Sequence, residues 1–214
     1  MIAVHGDRVS GLDASLCTFM GIEFFPLSPR PEHVNLFDIA HALARQCRYA
    51  GHVATEHYSL AEHAVLVSTL VPPEDALWGL LYNAHKAYLP LPDAIERVFP
   101  AYQAACERLR SVIVRRFGLP AEEPSSIREA AERLRLTEQR AFFKNRPRFD
   151  RPPSAARVCR AIEAVQPDLE PYAIPIVGLA PSLAERAFLQ RFHALTGKPP
   201  HDPVVRAGVP GATR

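Results

Sequence analysis

The chain has 214 residues, 48% of them hydrophobic, which is enough apolar material for one substantial core. Its 25 basic and 23 acidic residues leave a net charge of +2, so the charge balance indicates neither a nucleic-acid nor a membrane partner. The N-terminus lacks the pattern of a signal peptide, and no apolar run of about 18 residues predicts a membrane helix.

The four cysteines are scattered without Cys-x-x-Cys spacing: Cys17, Cys47, Cys106 and Cys159. This distribution favours reduced thiols over a disulfide framework, and we therefore expect a cytoplasmic protein. The oligomeric state stays open, and a homodimer is compatible with the sequence.

The first elements in chain order are short strands followed by a helix. Met1–Val4 and Ser15–Phe25, with a turn at Gly21, predict at most a small β-hairpin. Asn35 is placed to cap a helix that runs to about Arg48, because the apolar residues that follow it have one-face helical spacing.

The next two helices are predicted from their starting residues. Ser59 with Glu62 three positions later forms a capping-box pattern for a second helix, which runs to about Leu70. Pro73 begins a third helix, in which a continuous apolar stripe extends through Leu77, Leu80, Leu81, Ala84 and Tyr88.

Three more helices complete the prediction. They span Ala101–Phe117, ended by Gly118, and two segments opened by Ser126 with Glu129 and by Ser182 with Glu185, the last of them ended at Gly197. The proline-rich connection 144–181 contains one short helix around 155–165, and residues 199–214 form a loose tail. The predicted fold is an all-α helical bundle with a small N-terminal hairpin, forming a single domain over residues 1–198.

Six segments, taken in order, carry a family resemblance over most of the chain: residues 18–27, 37–52, 58–63, 115–120, 128–138 and 184–192. Together they resemble bacterial HD-domain phosphohydrolases of the deoxynucleotidase-like group. The resemblance implies an HD-type helical bundle. In that family a histidine, a His-Asp pair and a later aspartate hold a divalent metal, which polarises a phosphate and generates hydroxide.

Most of the implied metal ligands are replaced in this chain. The first histidine is retained as His63, but the His-Asp pair falls on Tyr82 and Asn83, and the last aspartate falls on Ala131. A family glutamate falls on Lys86, and an acidic Gly-Asp becomes Pro90 and Leu91. One imidazole, a phenol, an amide and an ammonium do not supply the charge that a dication requires. We therefore expect no metal and no other cofactor.

Helical spacing places Tyr82, Asn83 and Lys86 on one flank of the third helix, which by the resemblance faces the cleft that His63 also meets. Each residue has an alternative role. His63 can be a packed core residue, and Tyr82 can fill the vacated volume with its hydroxyl bonded to His63. Lys86 can face a ligand or extend to solvent. Asn83, if buried, needs a partner such as Lys86 or a backbone group.

Arg48 and His52 lie where the resembling family approaches a phosphate or sugar. A guanidinium suits phosphate because its planar fork makes two parallel charge-assisted bonds. Arg48 can instead bind the carbonyls at its own helix end. The other histidines of this half match no recognisable zinc pattern: His33, His41, His57 and His85.

Three functions follow from these patterns. The first is a catalytically degenerate domain that binds a nucleotide or another phosphorylated small molecule through Arg48, His52, His63, Tyr82, Asn83 and Lys86. The second is a metal-independent enzyme that performs an elimination, isomerisation or cyclisation with Tyr82, Lys86 and His63. The third is residual phosphohydrolysis, which needs new carboxylates near His63; Glu56 and Glu62 are the nearest in sequence.

Overall fold

A computed structural model of the protein describes residues 15–92, 96, 98–143 and 170–198. The predicted all-α fold with a small hairpin is confirmed. The helices in these ranges are α1 (Leu36–Arg45), α2 (Leu60–Leu70), α3 (Ala76–Leu81), α4 (Pro100–Phe117), α5 (Ser125–Phe143) and α6 (Pro181–Thr196). Short 3-10 turns occupy Pro31–His33, Arg48–Gly51, Pro73–Asp75 and Ala84–Ala87.

The hairpin consists of β1 (Leu16–Cys17) and β2 (Glu23–Phe24), which pair antiparallel. Gly21 reverses the chain between them with φ +76°, as the sequence predicted. The other predicted strand, Met1–Val4, lies outside the described residues. So do the predicted helix at 155–165 and the tail at 199–214.

Several predicted helix ends are confirmed by their capping contacts. The Asn35 side chain accepts a hydrogen bond from the Phe37 N–H at 2.8 Å, and Ser59 Oγ accepts one from the Glu62 N–H at 3.0 Å. Gly118 and Gly197 end α4 and α6 in the left-handed conformation.

Other predicted boundaries are wrong. α1 ends at Arg45 because Gln46 and Cys47 are extended, and Cys47 forms an isolated bridge with Ser59. Ser126 does not cap α5: its hydroxyl donates to Asp75 Oδ2 at 2.5 Å. No side chain caps α6, which begins with a proline at its first position.

The predicted third helix is interrupted. α3 is only six residues long, and at Asn83 the backbone leaves the helical region with φ −98° and ψ 7°. The chain then tightens into the 3-10 turn Ala84–Ala87, where the Lys86 N–H donates to the Asn83 carbonyl at 2.9 Å. Tyr82 and Lys86 therefore do not lie on one continuous helix, contrary to the prediction from sequence.

Helix α2 organises the core, because it packs against α1, α3, α5 and α6. One apolar cluster lies on the side of α1, α4 and α6 and includes Leu43, Leu109 and Phe188. A second cluster lies toward α5 and includes Trp78 and Leu134. Of the helices in the described part of the chain, none is both long and apolar enough to cross a membrane.

Candidate functional site

A single buried carboxylate organises the polar interior between α2 and α5. Glu138, in α5, is 0% exposed. Its two oxygens contact four side chains: the Tyr58 hydroxyl at 2.7 Å and His63 Nδ1 on Oε1, and the Tyr49 hydroxyl at 2.6 Å and Arg48 Nη2 at 3.0 Å on Oε2. We call these five residues with Tyr82 the Glu138 network.

Charge complementarity keeps Glu138 ionised. Burial by itself raises the pKa of this carboxyl, but its interactions with His63 and with the Arg48 guanidinium more than offset that effect and hold its pKa well below the usual range. Burial, and then the Glu138 charge, raise the pKa of Tyr49 and of Tyr58. Both phenols consequently remain protonated donors to the carboxylate.

His63 connects this carboxylate to a phenol. The histidine is 1% exposed; its Nδ1 contacts Glu138, and its Nε2 contacts the Tyr82 hydroxyl. With the proton on Nδ1, the ring donates to Glu138 and accepts from Tyr82. The hydrogen bond that the sequence analysis offered as one role for Tyr82 is confirmed. Both ring nitrogens of His63 are thus occupied by protein groups.

The turn that supplies Arg48 and Tyr49 has an unusual backbone. Tyr49 (φ 53°) and Ala50 (φ 51°) are consecutive non-glycine residues in the left-handed region. Such a conformation costs roughly 1–2 kcal/mol per residue and persists where surrounding contacts fix it. Here the Tyr49 hydroxyl is fixed on Glu138. His52 follows the turn with an exposed side chain, and its N–H donates to the Tyr49 carbonyl at 2.9 Å.

Lys86 lies in a second polar cluster. It is 4% exposed, so of the two roles that the sequence left open for Lys86, extension to solvent is wrong. Its ammonium donates to Glu96 Oε2 at 2.9 Å and to the Leu91 carbonyl at 3.2 Å. Glu96 also accepts from Arg110 Nη2 at 3.1 Å. Sequence spacing gave no sign of Glu96, because nothing local to it reveals that its partners are buried.

A shallow cleft opens beside Tyr82, and its cavity volume is about 10 Å³, which is room for roughly one water molecule. Its lining is apolar apart from the Tyr82 phenol, the Trp78 indole and one guanidinium, and consists of Trp78, Leu81, Tyr82, Arg110, Ile113, Val114 and Leu119. Trp78 Nε1 is already used, since it donates to the Pro120 carbonyl at 3.1 Å. Arg110 is therefore the cation that a ligand in this cleft meets.

The sequence matches an uncharacterized protein, YfdR of Escherichia coli K12, with 31% identity over 180 residues. The match covers 84% of this chain and 94% of YfdR. The chain belongs to the YfdR family. An uncharacterized protein of Rhodobacter capsulatus, RCAP_rcc00048, is 36% identical over 115 residues, covering 49% of this chain and 58% of that protein. No family model matches the chain.

In this YfdR-family chain, the carboxylate beside His63 is not the one that sequence proximity favoured. Glu62 is buried, and its oxygens accept from the N–H groups of Gly178 (3.0 Å) and Leu179 (2.7 Å). The predicted capping box required the Glu62 side chain to accept from the Ser59 N–H, and this part of the prediction is wrong. Glu138 lies seven positions beyond Ala131, which packs against the second apolar cluster. The family resemblance placed the acidic ligand at position 131, two helical turns before Glu138, and therefore gave no role to Glu138.

Asn83 is 8% exposed at the break between α3 and the following turn. Three cysteines within the described residues, Cys17, Cys47 and Cys106, carry free thiols. Cys106 is buried near His85 and Glu96, and potential ligand atoms of these three side chains lie within 4.8 Å of one another. The histidine spacings in the sequence did not reveal this grouping, because its members come from separate segments.

Proposed function

We propose that this chain is a catalytically degenerate HD-type domain that lacks the divalent-metal phosphohydrolase centre and binds a nucleotide or another phosphorylated small molecule. The observation that carries the first part is the double engagement of His63, with Glu138 on Nδ1 and Tyr82 on Nε2. A cytoplasmic location, with neither nucleic acid nor membrane as partner, accords with the small net charge.

The charge around His63 supports the loss of hydrolysis. A catalytic dication requires anionic or neutral donors whose combined charge offsets its own. The Glu138 network supplies one carboxylate, and Arg48 already neutralises it at 3.0 Å. The remaining contacts to the carboxylate and to His63 come from phenols, which stay protonated at neutral pH unless a strong field acts on them. Phosphate hydrolysis through His63 therefore has no support in this site.

The proposed ligand contact lies at the cleft beside Tyr82, which is so shallow that a nucleotide would cover its mouth rather than fill it. Arg48 and Lys86 are held in internal ion pairs with side chains 9% and 5% exposed, whereas Arg110, which pairs with Glu96 through Nη2, is 28% exposed; we therefore assign the phosphate contact to Arg110. Arg110 Nη1 is 2.5 Å from the exposed Glu107 carboxylate, and such surface pairs contribute about 0–1 kcal/mol. A ligand phosphate can replace Glu107 at little cost and gain a charge-assisted contact with Nη1, while Nη2 stays on Glu96. Tyr82 and Trp78 then lie beside the rest of the ligand.

Binding is tested by thermal shift with nucleoside monophosphates and, as matched controls, the corresponding nucleosides. We expect at least one monophosphate to raise Tm, the nucleosides to have a smaller effect, and Arg110→Ala to abolish the difference. Arg108→Ala, an exposed arginine on the same helix, should retain it. Equal shifts with monophosphates and nucleosides would remove phosphate from the proposal.

The loss of the metal centre is tested by calorimetric titration of Mn²⁺ into the native protein and the His63→Ala variant. We expect no uptake that depends on His63. Binding of about one Mn²⁺ per chain that disappears in His63→Ala would overturn this part, whatever the nucleotide screen shows.

A second function is favoured by one observation, the Glu138–His63–Tyr82 relay. A carboxylate that orients a histidine, which in turn accepts from a hydroxyl, is an arrangement that can move a proton to or from a substrate. The relay would make this chain a metal-independent lyase, isomerase or cyclase. A ligand recovered chemically unchanged from the native protein favours the binder. Conversion that is lost in Tyr82→Phe favours the enzyme.

A further inference from the structure

We propose that His85, Glu96 and Cys106 form a binding site for a transition-metal dication of the zinc class, separate from the Glu138 network. These residues come from three segments: the 3-10 turn after α3, the connection that follows it, and α4. One potential ligand atom from each lies within 4.8 Å of the other two. This inference does not rest on the proposed function, although Arg110, the proposed phosphate contact, borders the metal site as well.

The donor set suits zinc rather than magnesium or calcium. Imidazole nitrogen, thiolate sulfur and carboxylate oxygen are all ordinary zinc ligands, whereas a thiolate disfavours the harder cations. Ligand atoms on a tetrahedral zinc, bonded at about 2.0–2.3 Å, lie roughly 3.3–3.8 Å apart. Nε2 of His85 is already 3.8 Å from Oε1 of Glu96. If the longest distance between two of these ligand atoms shortened by about 1 Å, the three side chains would have tetrahedral spacing. A water molecule would then be the fourth ligand.

His85 is buried, with a ring that is 0% exposed. Its Nδ1 has no hydrogen-bond partner among the described residues, and its Nε2 contacts Arg110. The ring is therefore held much less firmly than that of His63, whose two nitrogens are both bonded to buried side chains.

Arg110 occupies the position that the metal would take. Its Nη2 lies 3.1 Å from His85 Nε2 and 3.1 Å from Glu96 Oε1, between two of the proposed ligand atoms. The side chain is 28% exposed, and its Nη1 pairs with the exposed Glu107 one turn earlier on α4. Arg110 can thus turn outward along its own helix when a metal enters. We infer that a dication and Arg110 compete for the same three residues.

Lys86 opposes the metal without blocking it. Its ammonium lies on the other carboxylate oxygen, Oε2 of Glu96, at 2.9 Å. Glu96 can keep that contact while Oε1 turns to the metal, as ligating carboxylates commonly keep a second partner. The positive charge of Lys86 lowers metal affinity, so we expect weak binding in the native protein and a clear gain when Arg110 is removed.

The test uses Co²⁺ as a spectroscopic substitute for zinc, with the full chain. In the Arg110→Ala variant we expect one Co²⁺ per chain, a thiolate-to-cobalt charge-transfer band, and affinity at least about tenfold above that of the native protein. The band should disappear in Arg110→Ala combined with Cys106→Ser, and it should persist in Arg110→Ala combined with His63→Ala.

Three results would overturn the proposal: no thiolate band in Arg110→Ala, a band that survives Cys106→Ser, or a band that requires His63. The first two leave the proposed function standing, because it makes no use of Cys106. Circular dichroism of each variant before titration verifies folding. If Cys106→Ser does not fold, Glu96→Gln serves in its place, and its retention of native Co²⁺ affinity would equally contradict the site.

Discussion

At the residue scale, the Glu138 network shows how one carboxylate can determine the chemistry of a protein interior. The donors around it come from the left-handed turn, from the residue before the cap of α2 and from α2 itself: Arg48 and Tyr49, Tyr58, and His63. Truncating one partner of a buried charge pair leaves the other charge uncompensated. The network therefore couples the left-handed turn at Tyr49 and Ala50 to helices α2 and α5.

Glu138→Gln should lower the free energy of unfolding by about 3–5 kcal/mol, because the buried Arg48 loses its counter-charge. The control is Glu129→Gln on the same helix, whose exposed side chain lies 3.9 Å from Arg133. That change should cost less than about 1 kcal/mol. Urea denaturation measures the free energy of unfolding of both variants. Equal decreases would show that the buried Glu138 charge stabilises the fold no more than an exposed one does.

The contact between Tyr82 and His63 could be anticipated from sequence, whereas Glu138 could not. The Tyr82–His63 contact follows from the family resemblance, because both residues fall on positions of the family's metal ligands. The position of Glu138 depends on how α5 is rotated against α2, and that rotation is set by side-chain packing rather than by any motif. Lys86 illustrates the same limit, because Glu96, the carboxylate that pairs with its buried ammonium, belongs to a different segment.

At the element scale, the segment before α6 is fastened to α2 by Glu62. The paired N–H groups of Gly178 and Leu179 donate to the two oxygens of this buried carboxylate. Gly178 has φ +78°, and a Cβ there would lie 2.7 Å from both the His57 carbonyl oxygen and Thr55 Cβ. Glycine is thus required for its conformation and for the close approach of the two chain segments.

Gly178→Ala should destabilise the protein more than Gly118→Ala does. Both glycines have left-handed backbones, but a Cβ at Gly118 (φ +67°) meets nothing within 4 Å. Gly118→Ala therefore carries the conformational cost alone, roughly 1–2 kcal/mol, while Gly178→Ala adds about 1–3 kcal/mol of overpacking. Thermal unfolding of the two variants decides the matter, and a smaller loss for Gly178→Ala would contradict this account.

Helix starts governed by local hydrogen bonds were predictable, as the caps at Asn35 and Ser59 show. The break in the third helix was not. Its apolar stripe continues through Tyr88, and neither glycine nor proline marks Asn83. The chain turns there so that His85 and Lys86 can reach buried partners in other segments, and periodicity within the helix carries no information about those partners.

At the scale of the whole molecule, the buried carboxylates give stability a pH dependence of both signs. The pKa of Glu138 is lowered in the fold, while burial raises that of Glu62. For Glu138 the unfolded chain takes up a proton first, near its ordinary value of 4.5, so its contribution is lost as pH falls below that value. For Glu62 the folded chain takes up a proton first, so its contribution grows as pH falls.

Unfolding free energies measured from pH 7 to pH 3 should show these opposite trends. The stability difference between native protein and Glu138→Gln should be constant above about pH 5.5 and shrink below about pH 4.5, because glutamine does not titrate. The difference between native protein and Glu62→Gln should move in the other direction. A difference for Glu138→Gln that does not shrink as pH falls would exclude a lowered pKa for Glu138, and a difference for Glu62→Gln that shrinks would exclude a raised pKa for Glu62.

The position of Trp78 has a practical consequence. It is the chain's single tryptophan, it is 5% exposed, and it borders the cleft beside Tyr82 and Arg110. Intrinsic indole emission therefore originates from one place, immediately next to the proposed ligand. Occupancy of the cleft, or an outward swing of Arg110, should register as a change in emission intensity or wavelength, so both events can be followed in the unlabelled protein.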